Sequence, residues 1–127
     1  MMPGKGPQHP TLKRSFLFAL QGLRVALMQE RNVKIMVGGA AFAMVMGVLS
    51  GLNAQEWAIN LLCCGVVLAA ELLNTAVETV VDLVSPEYHP LAGRAKDIAA
   101  AAVWVLSLFV ALAGLILYVT ALLRRFG

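Results

Sequence analysis

The sequence predicts an all-α membrane protein, with one amphipathic surface helix followed by three transmembrane helices. Hydrophobic residues make up 60% of the 127 residues and charged residues only 13%, which is too apolar for an ordinary soluble domain. No charged side chain occurs between Ile35 and Leu52 or between Ile98 and Leu123. A helix needs about 20 apolar residues to cross a hydrocarbon core about 30 Å thick, and both runs are long enough. The segment 57–84 is also long enough, although it carries carboxylates towards its end.

Pro and Gly dominate the first residues, so we expect a flexible tail over residues 1–11. From Leu12 onwards, Leu and Phe recur on one helical face, whereas Lys13, Arg24 and Arg31 share another. This pattern is typical of an amphipathic helix that lies among lipid headgroups. The predicted segments are one domain at 12–127, comprising a surface helix at 12–32 and spans at about 35–52, 57–84 and 96–123.

The distribution of Lys and Arg predicts the orientation of the chain. Six of them precede the first span, none lies in the first loop, and two lie in the loop at 85–97. The positive-inside rule therefore predicts a cytoplasmic N-terminus and a cytoplasmic 85–97 loop. Arg124 and Arg125 fall on the opposite side and are a local exception to this rule.

Four polar residues in the second span, Glu71, Asn74, Glu78 and Asp82, are separated by three, four and four residues. At 100° per residue they fall within roughly 80° of one helix face. Ionisable side chains are costly in a bilayer, so they normally face the protein interior or a wet cavity and have a function there. This line of polar residues is the candidate functional site.

Glu30 interrupts the apolar face of the surface helix, because it follows Leu27 by three residues. One interpretation is a carboxylate at the helix end that pairs with Arg31 or Lys34. The interpretation we favour is that Glu30 turns inward to meet the acidic line of the second span.

Lys96 and Asp97 open the third span, where we expect free backbone N–H groups and the positive end of the helix dipole to suit phosphate. Together with the carboxylates, they suit metal-assisted phosphoryl transfer, since Mg²⁺ binds carboxylates, phosphates and water. The chain has no GxxxxGK[ST] loop and no protein-kinase catalytic loop. The residues alone leave open an ion or proton channel that uses Glu71, Glu78 and Asp82 as its path.

Two ordered motifs carry a family resemblance. ELLNTAVETVVD at 71–82 and HPLAGRAKDIAAAAV at 89–103 closely resemble the signature of the small prokaryotic diacylglycerol kinases and undecaprenol kinases. SFLFALQGLRVALMQERN at 15–32 resembles the surface helix of the same family. The resemblance implies a homotrimeric lipid kinase of the bacterial inner membrane, with active sites between subunits, that uses ATP and Mg²⁺ and no nucleic acid.

The resemblance also implies roles for individual residues. Glu71 matches the general base that takes the proton from the lipid hydroxyl, and Glu30 and Glu78 match carboxylates that hold Mg²⁺ on ATP. Asp82 is expected to support the site, either by orienting a ligand or by pairing with Arg94. The residues that match ATP contacts are Phe18, Glu30, Asn74, Glu78, Glu87, Tyr88, His89, Lys96 and Asp97.

The chain departs from the family pattern at its N-terminal end. Phe18 stands where some members have Tyr, which retains stacking but removes a hydroxyl contact. Thr11, followed by Lys13 and Arg14, stands where some members have an Arg. For the acceptor, the motifs favour undecaprenol, with diacylglycerol as the alternative.

Overall fold

The structure, a computed structural model, describes residues 11–127 as an all-helical chain. The expected tail at 1–11 lies outside the described residues, apart from Thr11. The Thr11 hydroxyl accepts a hydrogen bond from the Arg14 N–H at 3.3 Å and caps the first helix. The four helices are α1 (Leu12–Gln29), α2 (Arg31–Ser50), α3 (Ala54–Val84) and α4 (Pro90–Phe126).

α1 ends at Gln29, before the predicted boundary at residue 32, because the backbone of Glu30 is extended (φ −105°, ψ 117°). The Glu30 N–H still bonds to the Ala26 carbonyl, and its own carbonyl accepts from the Lys34 N–H. A single residue therefore separates the two helices, and α1 contacts both α2 and α3.

The turn between α2 and α3 is defined by its capping residues. Gly51 takes the left-handed conformation (φ 67°), which glycine adopts without a Cβ penalty, and ends α2. The Asn53 side chain accepts from the Glu56 N–H at 2.9 Å, and the Asn53 N–H donates to the Glu56 carboxylate at 3.0 Å. This reciprocal capping box starts α3 immediately after the turn.

α4 begins at Pro90, earlier than the predicted span start at 96. The His89 side chain accepts a hydrogen bond from the Leu91 N–H at 3.1 Å, and Pro90 occupies the first helical position. Proline suits that position because its fixed φ is helical and it has no N–H to leave unpaired. α4 is consequently longer than the apolar run that it contains.

The α2–α3 crossing depends on Gly47. A Cβ atom there would lie 2.6 Å from the Trp57 ring, so only glycine permits this approach. Trp57 and Tyr118 also pack against a small core of Leu52, Leu117 and Ala121.

The C-terminal arginines join α4 to the α2–α3 turn through hydrogen bonds and an ion pair. Arg124 donates to the Glu56 carboxylate at 2.6 Å and to the Gly51 carbonyl at 3.2 Å. Arg125 donates to the Leu49 carbonyl at 2.9 Å, at the end of α2 where carbonyl groups lack helical partners. The two positive charges that are exceptions to the topology rule therefore have local partners.

α2, α3 and α4 are each long and apolar enough to cross a membrane. Most of their side chains are exposed in the single chain, because each helix buries only its inner stripe. The observed architecture confirms the all-α prediction with three candidate spans.

Candidate active site

The polar line predicted in the second span lies on one face of α3. Glu71 and Asn74 are almost fully buried, with 3% and 5% of their surface exposed, and Glu78 is partly buried. Asn74 donates to the Glu78 carboxylate at 3.2 Å, one helical turn further along. The inner half of the line is therefore shielded, and the line becomes more exposed towards Asp82.

Glu71 lies among four polar side chains. The side chains of Asn74 and Asn32 lie beside its carboxylate, and the carboxylates of Glu78 and Glu30 are close enough to interact with it electrostatically. Neutral amides do not neutralise a carboxylate. A buried carboxylate among polar side chains suits a group that accepts a proton.

Glu30 reaches this cluster because of the break between α1 and α2. It is partly buried at the helix junction and is near Glu71. The two ion pairs within residues 11–127 are Asp82–Lys96 and Glu56–Arg124, so the alternative pairing of Glu30 with Arg31 or Lys34 is not observed there. The inward orientation that we favoured stays a prediction.

The donor set fits a hard divalent cation bound together with a nucleotide. Glu30 and Glu78 supply carboxylate oxygens, and the Asn74 side-chain oxygen is buried without a hydrogen-bond partner. Within residues 11–127 no three His, Cys, Asp or Glu side chains form a metal-binding group. Mg²⁺ does not need one, since it is usually held by one or two carboxylates plus substrate phosphates and water.

Asp82 pairs with Lys96 and not with Arg94. α4 begins at Pro90, so Lys96 lies in its second turn, where it meets the end of α3. Arg94 lies about 200° from Lys96 around the helix and points elsewhere. The ion pair is partly exposed, with 39% of the Lys96 side chain accessible, so the ammonium remains available to an anionic ligand.

The phosphate site expected at Lys96 and Asp97 does not lie at a helix start. Lys96 and Asp97 lie inside α4, so their backbone N–H groups belong to the helix and are not free. The true helix start uses the His89 Nδ1 atom as its cap, which leaves the Nε2 atom as the only ring nitrogen for a ligand.

A shallow pocket lies beside this helix start. Tyr88, Arg94 and Asp97 supply its polar side chains, and Pro90 and Ile98 supply apolar surface. Tyr88 is almost fully exposed. Glu87 is also exposed and Phe18, on α1, is half-exposed, so neither is held in the Glu71 cluster within the single chain.

Sequence reasoning missed Asn32 and Asn60. Asn32 occurs two residues after Glu30, and its significance depends on the break that brings the start of α2 to Glu71. Asn60 lies eleven residues before Glu71, which places it on the same face of α3. Extending the polar line towards the N-terminus would have found Asn60, whereas nothing in the sequence indicated the helix break at Glu30.

Comparisons with known proteins identify the family of the chain. The sequence profile of the prokaryotic diacylglycerol kinases matches residues 17–118. The chain belongs to the prokaryotic diacylglycerol kinase family. It is 38% identical to the undecaprenol kinase of Bacillus subtilis over 109 residues, 86% of this chain and 89% of that protein.

Members named for the other acceptor are similar at comparable identity. The diacylglycerol kinase of Helicobacter pylori strain 26695 is 32% identical over 101 residues, covering 80% of this chain and 79% of that protein. The diacylglycerol kinase of Escherichia coli K12 is 33% identical over 88 residues, covering 69% and 72%.

Membership makes the chain a multi-pass membrane lipid kinase, a phosphotransferase that uses ATP and a lipid substrate. The channel alternative is accordingly set aside. The family membership also accounts for an acidic cluster placed in an otherwise apolar helix.

Proposed function

We propose that this lipid kinase transfers the γ-phosphate of ATP to the hydroxyl of undecaprenol and so produces undecaprenyl phosphate. The observation that carries the proposal is the buried Glu71 carboxylate, which lies beside two amides and two further carboxylates. The name of the Bacillus subtilis relative, which matches over most of both chains, supports this acceptor.

In the proposed reaction, the lipid oxygen attacks the γ-phosphorus while its proton passes to the Glu71 carboxylate. The new bond joins the lipid oxygen to phosphorus, and the bond between phosphorus and the β–γ bridging oxygen breaks to release ADP. Asn74 and Asn32, which lie beside Glu71, would keep its oxygens directed at the hydroxyl. A positioned base of this kind contributes roughly 10²–10⁴-fold to a rate.

Glu30 and Glu78 would hold Mg²⁺, which supplies charge neutralisation on the phosphates when bound. Lys96 would neutralise phosphate charge, with Asp82 orienting its ammonium. The remaining nucleotide contacts would come from Phe18, Asn74, Glu87, Tyr88, His89 and Asp97.

We also propose a homotrimer with a cytoplasmic N-terminus and 85–97 loop in the bacterial inner membrane. In the single chain the outer part of the polar line is open, with 63% of the Asp82 side chain exposed. A neighbouring subunit would enclose it and supply missing nucleotide contacts. The charge distribution supports the orientation, because Arg124 and Arg125 already have local partners at the other end.

The alternative acceptor is diacylglycerol, the substrate named for several relatives. The test offers undecaprenol and diacylglycerol in parallel to the purified protein in detergent with labelled Mg·ATP. Label is expected in undecaprenol, and no label is expected in either lipid with Glu71→Gln. Exclusive transfer to diacylglycerol would overturn the undecaprenol assignment, and transfer by the variant would overturn the role of Glu71.

A further inference from the structure

A cavity of about 480 Å³ lies between α2, α3 and α4, open along one side. This is within the range of roughly 300–1,000 Å³ that small-molecule sites occupy. The α3 wall consists of Asn60, Cys63, Cys64 and Val67. None of the residues that have been assigned a role in phosphoryl transfer lines this cavity.

The cavity lies on the same face of α3 as Glu71, on the N-terminal side of that residue. Cys64, Val67 and Glu71 follow one another at spacings of three and four, so they share one face of α3. Val67 is one turn from Glu71, about 6 Å along the helix axis. Asn60 closes the far end, about 16 Å from Glu71.

The walls of the cavity suit a hydrocarbon chain. Gly39, Ala40 and Ala43 of α2 form a smooth side with little side-chain bulk. At the far end the Asn60 amide donates to the Ala43 carbonyl at 3.1 Å, and the Tyr118 hydroxyl lies within hydrogen-bonding distance of both groups. These polar atoms therefore satisfy one another. The Ser107 hydroxyl, which also lines the cavity, is buried without a hydrogen-bond partner.

We propose that this cavity binds the part of the undecaprenol chain next to its hydroxyl, which places that hydroxyl at Glu71. The inference rests on the proposed function and adds the site for the substrate chain. A single groove about 16 Å long accommodates one chain and only its first isoprene units. The remainder leaves through the open side into the bilayer.

Two adjacent glycines provide a matched test. A Cβ added at Gly38 or at Gly39 would meet no atom within 4 Å, but only Gly39 lines the cavity. Gly39→Leu is expected to raise the KM for undecaprenol roughly tenfold or more, because the added side chain occupies the groove. It should leave the KM for Mg·ATP unchanged, and Gly38→Leu should change neither constant.

The outcomes separate the groove from the proposed function. If the unmodified protein phosphorylates undecaprenol and Gly39→Leu keeps the normal KM, the groove proposal is wrong and the proposed function stands. If the unmodified protein does not phosphorylate undecaprenol, both are wrong. If Gly39→Leu but not Gly38→Leu alters the oligomer in detergent, the groove is filled by a second copy of the chain and the proposal fails.

A second measurement does not depend on folding of a variant. Undecaprenol with a photoreactive diazirine in its first isoprene units is bound to the unmodified protein and irradiated. The attached lipid is expected on the segments that contain Gly39 and Cys64. Attachment outside the walls of the cavity would overturn the proposal.

Discussion

Carboxylates occur towards both ends of the three-helix bundle, but the two groups differ in whether a cationic side chain pairs with them. At the α2–α3 turn, Glu56 pairs with Arg124, and Arg125 binds the carbonyls that end α2. At the other end, Glu30, Glu71 and Glu78 gather without a cation from the described chain.

This difference separates structural charges from functional ones. A carboxylate that forms an ion pair with an arginine has its charge compensated, so the charges at the α2–α3 turn stabilise the fold. Neighbouring carboxylates without a cationic partner repel one another. We therefore expect substitutions at the two ends to have different consequences.

Substitution of Glu71 is expected to have the largest effect. Glu71→Gln retains the shape of the side chain but cannot act as a base, so the transfer rate should fall roughly 10²–10⁴-fold. Nucleotide binding, measured by titration with labelled ATP, should remain near normal. A large loss of ATP binding would show that Glu71 holds the nucleotide instead.

A smaller effect is expected from Glu78→Gln, which removes one of the two carboxylates proposed for Mg²⁺. The concentration of Mg²⁺ needed for half-maximal transfer should rise on the order of tenfold, because a charged ligand is replaced by a neutral one. An activity titration against Mg²⁺ at saturating ATP measures this. An unchanged Mg²⁺ requirement would remove Glu78 from the metal site.

Gly47→Ala tests the close packing of α2 against α3 near the α2–α3 turn. The new Cβ would meet the Trp57 ring at 2.6 Å, so the helices must separate, with an expected cost of about 1–3 kcal/mol in the free energy of unfolding. Gly38→Ala is the matched control, since its Cβ meets no atom within 4 Å. Equal stability of the two variants in detergent unfolding would contradict the close crossing.

The smallest effect on activity is expected from Glu56→Gln. It removes the charge that Arg124 binds, so the temperature of unfolding should fall modestly because the pair is partly exposed. The transfer rate at low temperature should not change. A loss of transfer comparable to that of Glu71→Gln would mean that the two ends are functionally coupled.

Much of the acidic end could be predicted from sequence because helical periodicity alone aligns Glu71, Asn74, Glu78 and Asp82. The same periodicity is the basis for the prediction that Glu30 turns inward. The helix break at Glu30 could not be predicted, since neither Gly nor Pro marks residue 30.

Contacts that depend on the register between helices could not be predicted from the sequence. Of the two roles expected for Asp82, the pairing with Arg94 was wrong, because Lys96 of α4 is the residue that meets Asp82. From the sequence, Arg124 and Arg125 were only exceptions to the positive-inside rule. In the structure they donate hydrogen bonds to carbonyl groups at the α2–α3 turn. The Asn60–Tyr118 contact joins residues far apart in the chain and was missed for the same reason.

The central claim is that Glu71 is the base of a lipid kinase, whereas Glu56 is a structural carboxylate of the same helix. The most direct test measures phosphate transfer from labelled Mg·ATP to undecaprenol by Glu71→Gln and Glu56→Gln side by side. The same substitution is made in each variant, and the folded fraction of each is measured. We predict that Glu71→Gln transfers almost no phosphate and that Glu56→Gln transfers it at the normal rate. Near-normal transfer by Glu71→Gln would contradict the account.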